Sequence, residues 1–359
     1  RAIGIPRVVV PAAAGVGSAI GLLRAEPRID VSATRVLRLD AEAPAAIEAN
    51  MRALLLRFHG APLGPGSLLW QLASDPRCLI PGTAAGIMQL MLPGLGAGVT
   101  DHSNFFDDPF DRINRSIPVI WGSIFAPDDT EGETRGHHVR DLHKDIKGVD
   151  HHGDRYHALD PEVFWWAHAT FTWEFFRARQ LYFARRPSRA EQEQLYAETV
   201  TWYRRYGLSE RPVPPDLASV RTRFDQVCRH ELEVTPAVAW VLDPEQNPAA
   251  TGQRVSLRGP LAAFDGVLTH LGSEVLRTLV YGNMPDVVRR RLGQPWTNRD
   301  RAGFVALCGG LRSMGPAIKR GMLAEAYPEG TPHLRPGSRD EIVVAGPNPR
   351  QRAAAGSGG

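Results

Sequence analysis

The sequence predicts an all-α fold, and three observations support this prediction. Apolar residues recur at helical spacing in one segment after another. Helix start signals, in which a short polar side chain precedes proline or stands three residues before glutamate, recur along the chain. Sustained period-two alternation, which indicates half-buried strands, is nearly absent, and only residues 8–10 and 342–345 have an extended pattern.

The composition is that of a globular protein with a sizeable core. The chain has 359 residues, of which 43% are apolar and 23% are charged, so it can form two domains or one large helical domain. The net charge is only +3, and no basic run is interleaved with aromatics, so a nucleic acid is not an expected partner. The three cysteines lie far apart without a CxxC pair, which argues against a disulfide framework and against a cysteine-based zinc site. The oligomeric state leaves no signal in the sequence.

The chain is expected to divide into three parts. Residues 8–23 are apolar but interrupted by Pro11 and by glycines, and they are shorter than the roughly 18–20 residues that span a bilayer. We therefore predict an N-terminal arm over residues 1–40, a helical domain over 41–330 and a partly disordered tail over 331–359. No integral membrane segment is expected. The expected location is the cytoplasm or a membrane surface, or outside the cell if an export signal has been removed.

The first three predicted helices begin in the first third of the chain. The first, residues 44–58, carries apolar side chains at helical spacing and stops before Gly60. The small apolar segment 82–95 is typical of a buried helix. A third helix begins at Asp108-Pro109, where a capping side chain precedes proline at the first helical position.

This third helix carries a polar stripe. Arg112, Arg115 and Ser116 stand at positions i, i+3 and i+4, which puts them on one face. Pro118 is expected to kink the helix. The stripe is either a solvated helix face or a set of cations and a hydroxyl that stabilise bound dioxygen.

Two further helices are predicted around the histidine-rich region. Thr130 and Glu133 have capping-box spacing, and the helix that they start is expected to run to about Lys147 and to end at Gly148. Asp160-Pro161 then starts a long aromatic helix that ends before Pro187.

The last third of the chain is also predicted to be helical. Ser188 and Glu191 form another capping box, and the helix that follows is expected to end near Gly207. Further helices are predicted over residues 216–230, 260–281, 284–292 and 299–323.

Histidine is concentrated in one region, because seven of the 12 histidines lie between Arg135 and Thr170. His152-Gly-Asp154 has the HxD spacing of two facial-triad ligands of non-haem iron, although a solvated polar loop is the simpler interpretation. His143 has Arg140 and Lys147 at −3 and +4 on the predicted helix. It is either a half-buried residue at a helix seam or a haem ligand whose flanking cations bind the two propionates.

His168 lies in the aromatic segment WWAHATFTW. It is either a hydrogen-bonded core residue or a second ligand that lines a pocket. The aromatic side chains of this helix cover nearly every side of it, which indicates core packing and would also suit a pocket for a flat macrocycle. The chain contains no GxSxG, HExxH, Walker A or GxGxxG signature between a strand and a helix.

Three segments in order carry a resemblance to a known family. QLMLPGLGAGVTDHSNFFDDPFDRINRS, HHVRDLHKDIKG and RYHALDPEVFWWAHAT are similar to the MpaB-type oxygenases, a superfamily that includes the haem-b rubber oxygenases. The similar region runs from about Leu68 to Trp240. The resemblance implies a globin-like haem domain with additional helices, so the domain over residues 41–330 would be catalytic.

The resemblance also implies roles for individual residues. Arg140-Asp-Leu-His143-Lys-Asp-Ile-Lys147 is similar to the proximal Arg-x-x-His-x-x-x-Arg motif, which makes His143 the iron ligand. Arg112-Ile-Asn-Arg115-Ser116 resembles the distal Arg-x-x-Lys-Thr motif, and the segment around His168 resembles a Trp-Val-His-x-Thr pattern near the pocket. Lys147, Arg115 and Ser116 depart from the family's residue types, and the rubber enzymes' catalytic acid has no obvious counterpart here.

The leading hypothesis is therefore a haem-b-dependent oxygenase that acts on a small apolar, isoprenoid-like substrate with dioxygen. His143 would hold the iron, Arg140, Lys147 and His168 would contact the cofactor, and the polar stripe would face dioxygen. Two alternatives remain open. One is a non-haem metal enzyme that uses the histidines of residues 137–168, and the other is a non-catalytic protein that binds haem or a hydrophobic ligand.

Overall fold

A computed structural model describes residues 63–64, 66–103, 105–106, 109–243 and 265–326. The side chains of residues 109–115, 265–271, 314 and 316–326 lie outside that description. The predicted arm over 1–40, the helix over 44–58, both extended pieces and the tail over 331–359 also lie outside it and stay predictions.

The described residues are mostly helical, which confirms the all-α prediction. They form α1 Leu68–Ala73, a 3₁₀ turn Pro76–Leu79, α2 Gly82–Leu90, α3 Pro93–His102, α4 Pro109–Gly122, α5 Asp129–Asp141, β1 Lys147–Val149, β2 Arg155–His157, α6 Pro161–Leu181, α7 Arg189–Arg204, α8 Leu217–His230, α9 Pro236–Leu242, α10 Asp265–Asn283, α11 Asp286–Arg291 and α12 Asn298–Ala326.

The aromatic helix α6 lies at the centre of this arrangement, packed against α1, α2, α7 and the 3₁₀ turn. Its N-cap is Asp160, whose carboxylate accepts the Glu162 N–H at 2.9 Å. Trp166, 1% exposed, donates its indole N–H to the Met88 carbonyl of α2 at 3.0 Å. Because a buried indole needs a hydrogen-bond partner, this contact fixes the register between α6 and α2.

Several helix starts are where the sequence predicts them. Ser188 and Glu191 make both hydrogen bonds of a capping box at the start of α7. Asp216 caps α8 by accepting the Ser219 N–H at 2.8 Å. The third predicted helix is α4, which continues through Pro118.

The predicted helix over residues 82–95 is in fact two helices. Leu92 is extended, with φ −82° and ψ 121°, and Pro93 starts α3. The proline ring disfavours a helical conformation at the preceding residue, and proline has no N–H to continue the hydrogen-bond ladder. It is nevertheless favourable as the first residue of the new helix.

The helix before His143 is shorter than predicted at its C-terminal end and begins slightly earlier than predicted. Asp128, and not Thr130, caps α5 by accepting the Glu131 N–H. α5 ends at Asp141, so the prediction that it runs to Lys147 is wrong. The His143 N–H bonds to the Arg140 carbonyl at 2.9 Å, an i to i−3 turn that tightens and ends the helix.

After α5 the chain forms a β-hairpin and does not continue as a helix. Lys147–Val149 pairs antiparallel with Arg155–His157, a hairpin that the sequence analysis missed. Imidazole N–H groups of His157 and His102 reach the carbonyls of Lys144 and Lys147 at 3.0 and 3.2 Å. These contacts satisfy backbone groups that would otherwise favour a continued helix.

Among the described residues, no single helix has the length and apolarity to cross a bilayer. The bent pair Pro76–Leu90 and Pro93–His102, with 98° between its halves, meets both criteria by length and composition only.

Candidate active site

His143 lies in the turn that follows α5 and is half-buried. Its Nδ1 is 2.7 Å from the Val139 carbonyl oxygen, so Nδ1–H donates and Nε2 is the nitrogen with the lone pair. Histidines that ligate metals commonly have their other ring nitrogen held by a backbone carbonyl in this way. The imidazole also meets Phe164 of α6 edge-on, with ring centroids 5.9 Å apart.

An aromatic cluster connects His143 to the centre of the protein. It consists of Phe164, His168, Trp202, Tyr203 and Tyr206. Phe164 lies 5.1 Å from Tyr206, and the His168 ring lies 4.7 Å from Trp202 and 5.2 Å from Tyr203, measured between centroids. Both candidate histidines therefore contact one apolar wall, which α6 and α7 build together.

His168 is buried, with 6% of its surface exposed. Burial lowers the pKa of its imidazole to about 3, against a smaller opposing effect of a hydrogen bond to the Thr199 backbone. The ring is therefore neutral at physiological pH. Its Nδ1 is buried and has no hydrogen-bond partner among the described residues. A neutral imidazole with one nitrogen held by backbone and the other unpaired has the electronic form that a metal ligand needs.

Of the two cations predicted to flank His143, Lys147 does not share a helical face with it. Arg140 lies in the last turn of α5, where its Nε donates to Asp141 at 2.8 Å. Hydrogen bonds from Arg140 and Lys144 lower the pKa of the Asp141 carboxyl to about 2. Lys147 is exposed on β1. The prediction of a helical i+4 relation between His143 and Lys147 is thus wrong, because α5 ends between Arg140 and His143.

The predicted distal stripe lies on α4, which packs against α5. The backbone carries positions 112, 115 and 116 within slightly more than one turn, so they share a face of the helix. Ser116 is half-buried. The side chains of Arg112 and Arg115 lie outside the described residues, so their contribution to the site stays a prediction.

Two cavities lie on other faces of the aromatic helix. One, of about 250 Å³, lies between the hairpin, α6 and α8 and is lined by Tyr156, Val163, Trp166 and Arg223 among others. The other, of about 520 Å³, lies between α6 and the C-terminal helices. Neither of these two cavities is lined by His143 or His168.

The HxD segment lies at the tip of the hairpin. The Asp150 carboxylate accepts the N–H groups of His152 and Asp154 at 2.9 and 3.0 Å, and Gly153 has a φ of 89°. The structure brings His152 to Glu233, at 2.6 Å, and not to the carboxylate predicted by the HxD spacing. Glu233 is therefore a candidate ligand that the sequence analysis missed.

Glu174 is a second residue that sequence reasoning missed. It is 1% exposed on α6, and neither carboxyl oxygen has a hydrogen-bond partner among the described residues. Burial raises the pKa of this carboxyl well above its usual value, because it disfavours the charged form. A glutamate inside the aromatic run FTWEFF was the available signal.

Comparison with known protein families identifies the domain. The family described as ER-bound oxygenase mpaB/B'/Rubber oxygenase, catalytic domain, matches residues 70–313, more than half of the chain. The chain belongs to this oxygenase family. Comparisons with characterised proteins and with solved structures find no match.

The mpaB/rubber oxygenase family is a family of oxygenase enzymes. The matched region begins in α1 and ends in α12, so it extends beyond the stretch in which the three motifs occur. The match therefore covers the C-terminal helices α10 and α11 as well as the histidine-rich region.

Proposed function

We propose that this protein is a haem-b-dependent oxygenase that acts on a small apolar substrate of isoprenoid-like chemistry. The observation that carries the proposal is the environment of His143. Its Nδ1–H is engaged by the Val139 carbonyl at 2.7 Å, so that Nε2 would be the ligating nitrogen, and an aromatic wall begins at Phe164. An imidazole held in this way, beside apolar rings, has the donor chemistry of a proximal haem ligand.

The side chains around His143 fit haem by their chemistry. Bound haem would supply a redox-active iron with a position open to dioxygen. The aromatic cluster supplies an apolar wall. Inside it, His168, whose Nδ1 has no hydrogen-bond partner among the described residues, would supply a second imidazole donor. Arg140 is half-buried and Lys147 is exposed. These two cations would donate charge-assisted hydrogen bonds to the haem propionates.

The polar stripe of α4 would serve dioxygen. Arg115 and Ser116 would donate hydrogen bonds to dioxygen, and Arg112 would orient them. Packing of α4 against α5 supports this role, because it holds the stripe and the turn of His143 on neighbouring elements. Guanidinium and hydroxyl groups are hydrogen-bond donors that stabilise developing negative charge on oxygen.

The substrate class rests on the family and on the apolar wall. The family description names a rubber oxygenase, an enzyme of a hydrocarbon polymer. An apolar substrate would gain free energy by burial against aromatic side chains, at roughly 25 cal/mol per Å² of apolar surface removed from water. We therefore propose an unsaturated hydrocarbon chain and not a charged metabolite.

Absorption spectra of the full chain, produced with haem available, test the cofactor assignment. We expect a Soret band in the unaltered protein and its loss in His143→Ala. His138→Ala is the matched control, because His138 is an exposed histidine on α5 itself. In His168→Phe we expect the band to persist with a changed position. A Soret band of full intensity in His143→Ala would overturn the ligand assignment.

Two measurements separate this proposal from its alternatives. A non-haem metal enzyme would contain near-stoichiometric metal by elemental analysis and would have no Soret band. A non-catalytic carrier would bind haem but would not consume dioxygen when an unsaturated apolar substrate is added. We expect oxygen uptake that depends on that substrate and that falls in Ser116→Ala.

A further inference from the structure

We propose that His151, His152 and Glu233 form a second site, which binds a divalent metal ion of the zinc class and joins the hairpin to the segment between α8 and α9. The hairpin tip supplies two imidazoles, and a carboxylate 82 residues further along the chain meets them. The Nε2 atoms of both histidines lie 2.6 Å from Oε1 of Glu233. This site is separate from the proposed haem site and does not depend on it.

The ligand set has the chemistry of zinc and its neighbours. Two imidazoles and one carboxylate are typical zinc ligands, and a three-ligand protein site leaves one position for water. The three ligand atoms of this cluster all lie within 4.8 Å of one another, so a single ion can contact all of them after small side-chain rotations. The imidazole rings lie side by side, with centroids 4.1 Å apart, which directs both Nε2 atoms to one point.

Both backbone segments are fixed independently of any metal. At the hairpin tip, Asp150 accepts two backbone N–H groups, one of them from His152 at 2.9 Å. On the other segment, the Glu233 N–H bonds to the Met91 carbonyl at 2.9 Å, and the Thr235 hydroxyl bonds to the Leu90 carbonyl at 2.7 Å. Because these bonds hold the ligands in place beforehand, metal binding requires little further ordering of the chain.

Charge also favours a cation at this point. The Glu233 carboxylate lies directly against both imidazoles, with Oε1 2.6 Å from each Nε2. Without a metal, two imidazole N–H groups converge on one carboxylate oxygen. A divalent ion replaces those protons and is attracted to all three groups at once.

The position of the site suggests what the metal would do. Asp150 and Glu231 are close in sequence to the ligands on the two segments, and both line the cavity of about 250 Å³. A metal ion bound by His151, His152 and Glu233 would therefore join two walls of that cavity. We infer a structural role, in which the ion limits how far the hairpin can separate from α8.

Titration of the chelator-treated full chain with ZnCl₂, followed by calorimetry and thermal unfolding, tests the proposal. We expect one saturable site per chain, a rise in the unfolding temperature on adding zinc, and an affinity lower by about tenfold or more in His151→Ala and in Glu233→Gln. His230→Ala is the matched control, since His230 is exposed and close to Glu233 in sequence but outside the cluster. We expect the control to bind zinc as the unaltered protein does.

A spectroscopic readout keeps the test independent of folding. Co²⁺ substituted at the site should give visible d–d absorption of a low-coordinate nitrogen and oxygen site, and Glu233→Gln should remove it while the far-ultraviolet circular dichroism stays unchanged. The proposal would be overturned if the unaltered protein bound no zinc saturably, or if both ligand variants bound it as tightly as the control. An unchanged Soret band in Glu233→Gln would separate this result from loss of haem.

Discussion

Glu174 illustrates how a single residue can make the stability of this protein depend on pH. Its side chain is buried on α6, and burial raises the pKa of the carboxyl well above the usual value. In the unfolded chain the same group ionises with a pKa of about 4.3. Because the folded pKa is the higher one, the carboxyl makes its full contribution to stability below the unfolded pKa. That contribution is lost as the pH rises towards the folded pKa.

We predict that Glu174→Gln makes unfolding less sensitive to alkaline pH. Glutamine has nearly the shape of the protonated glutamate but cannot ionise, so the variant should gain unfolding temperature relative to the unaltered protein at pH 8 and gain little at pH 5. Thermal unfolding at both values measures this difference. Glu133→Gln, an exposed position on α5, serves as the control. A parallel loss of stability in the unaltered and Glu174→Gln proteins between the two values would contradict the prediction.

At the residue scale, the sequence singled out His143 but did not predict its surroundings. The motif around His143 marked the residue, but its hydrogen bond to Val139 and its contact with Phe164 depend on how α5 ends and how α6 packs. Glu233 could not be predicted as a partner of His151, because 82 residues separate them and no local pattern connects them. Contacts of this kind arise only from tertiary structure.

Between elements, the close approach of α5 to the end of α7 determines where His143 lies. A Cβ atom built on Gly136 would overlap the backbone carbonyl of Arg205, so the two backbones touch at this point. Arg205 is 2% exposed and donates to Asp129 at 2.7 Å and to the Ser123 carbonyl, which ties α7 to the start of α5. The orientation of α5, and therefore of the turn that follows it, depends on glycine at position 136.

We predict that Gly136→Ala destabilises the protein by about 1–3 kcal/mol or more, because the added methyl group forces two backbones apart. Gly86→Ala is the matched control. Gly86 is also a helical glycine, but a Cβ atom added there would have no neighbouring atom within 4 Å, so this change should stabilise α2 by up to about 1 kcal/mol. Urea unfolding of both variants measures the two changes.

Gly136→Ala should also affect the proposed haem site. Haem retention should fall in Gly136→Ala and should be unaffected in Gly86→Ala, since only the first change moves α5. Equal stability of the two alanine variants would contradict the close packing of α5 on α7.

The capping box of α7 gives a prediction confined to one helix. The Glu191 N–H bonds to the Ser188 hydroxyl at 3.2 Å, and the Ser188 N–H bonds to the Glu191 carboxylate at 2.7 Å. Ser188→Ala should lower the free energy of unfolding by ~1 kcal/mol, and Ser188→Asn, which can still cap, should lower it by much less. Chemical denaturation of the two variants provides the comparison, and equal losses would argue against a capping role.

Several helix starts carried a local signal, whereas the end of α5 did not. Asp160, Ser188 and Asp216 are local start signals, and each caps a helix by accepting a backbone N–H within three residues. The end of α5 is decided by the pairing of β1 with β2 and by imidazoles from His102 and His157, which come from outside the helix. A prediction from helical spacing alone therefore extended α5 too far.

At the scale of the whole molecule, the all-α character followed from apolar spacing, and the family followed from three motifs in order. The mpaB/rubber oxygenase family match over residues 70–313 reaches beyond those motifs and includes α10, α11 and much of α12. Long-range contacts such as the one between the Glu198 carboxylate and the Leu69 N–H, at 2.6 Å, join α7 to α1 and have no local sequence signature. The relative positions of the helices were for this reason beyond sequence reasoning.

The central claim is that His143 is the haem ligand of this oxygenase-family protein. The most direct measurement is the amount of haem per chain, determined as the pyridine haemochrome, in the unaltered protein, His143→Ala and His138→Ala purified in parallel. We predict stoichiometric haem in the unaltered protein and in His138→Ala, and a large loss in His143→Ala that added imidazole partly restores. Stoichiometric haem in His143→Ala without imidazole, or no haem in the unaltered protein produced with haem available, would contradict the claim.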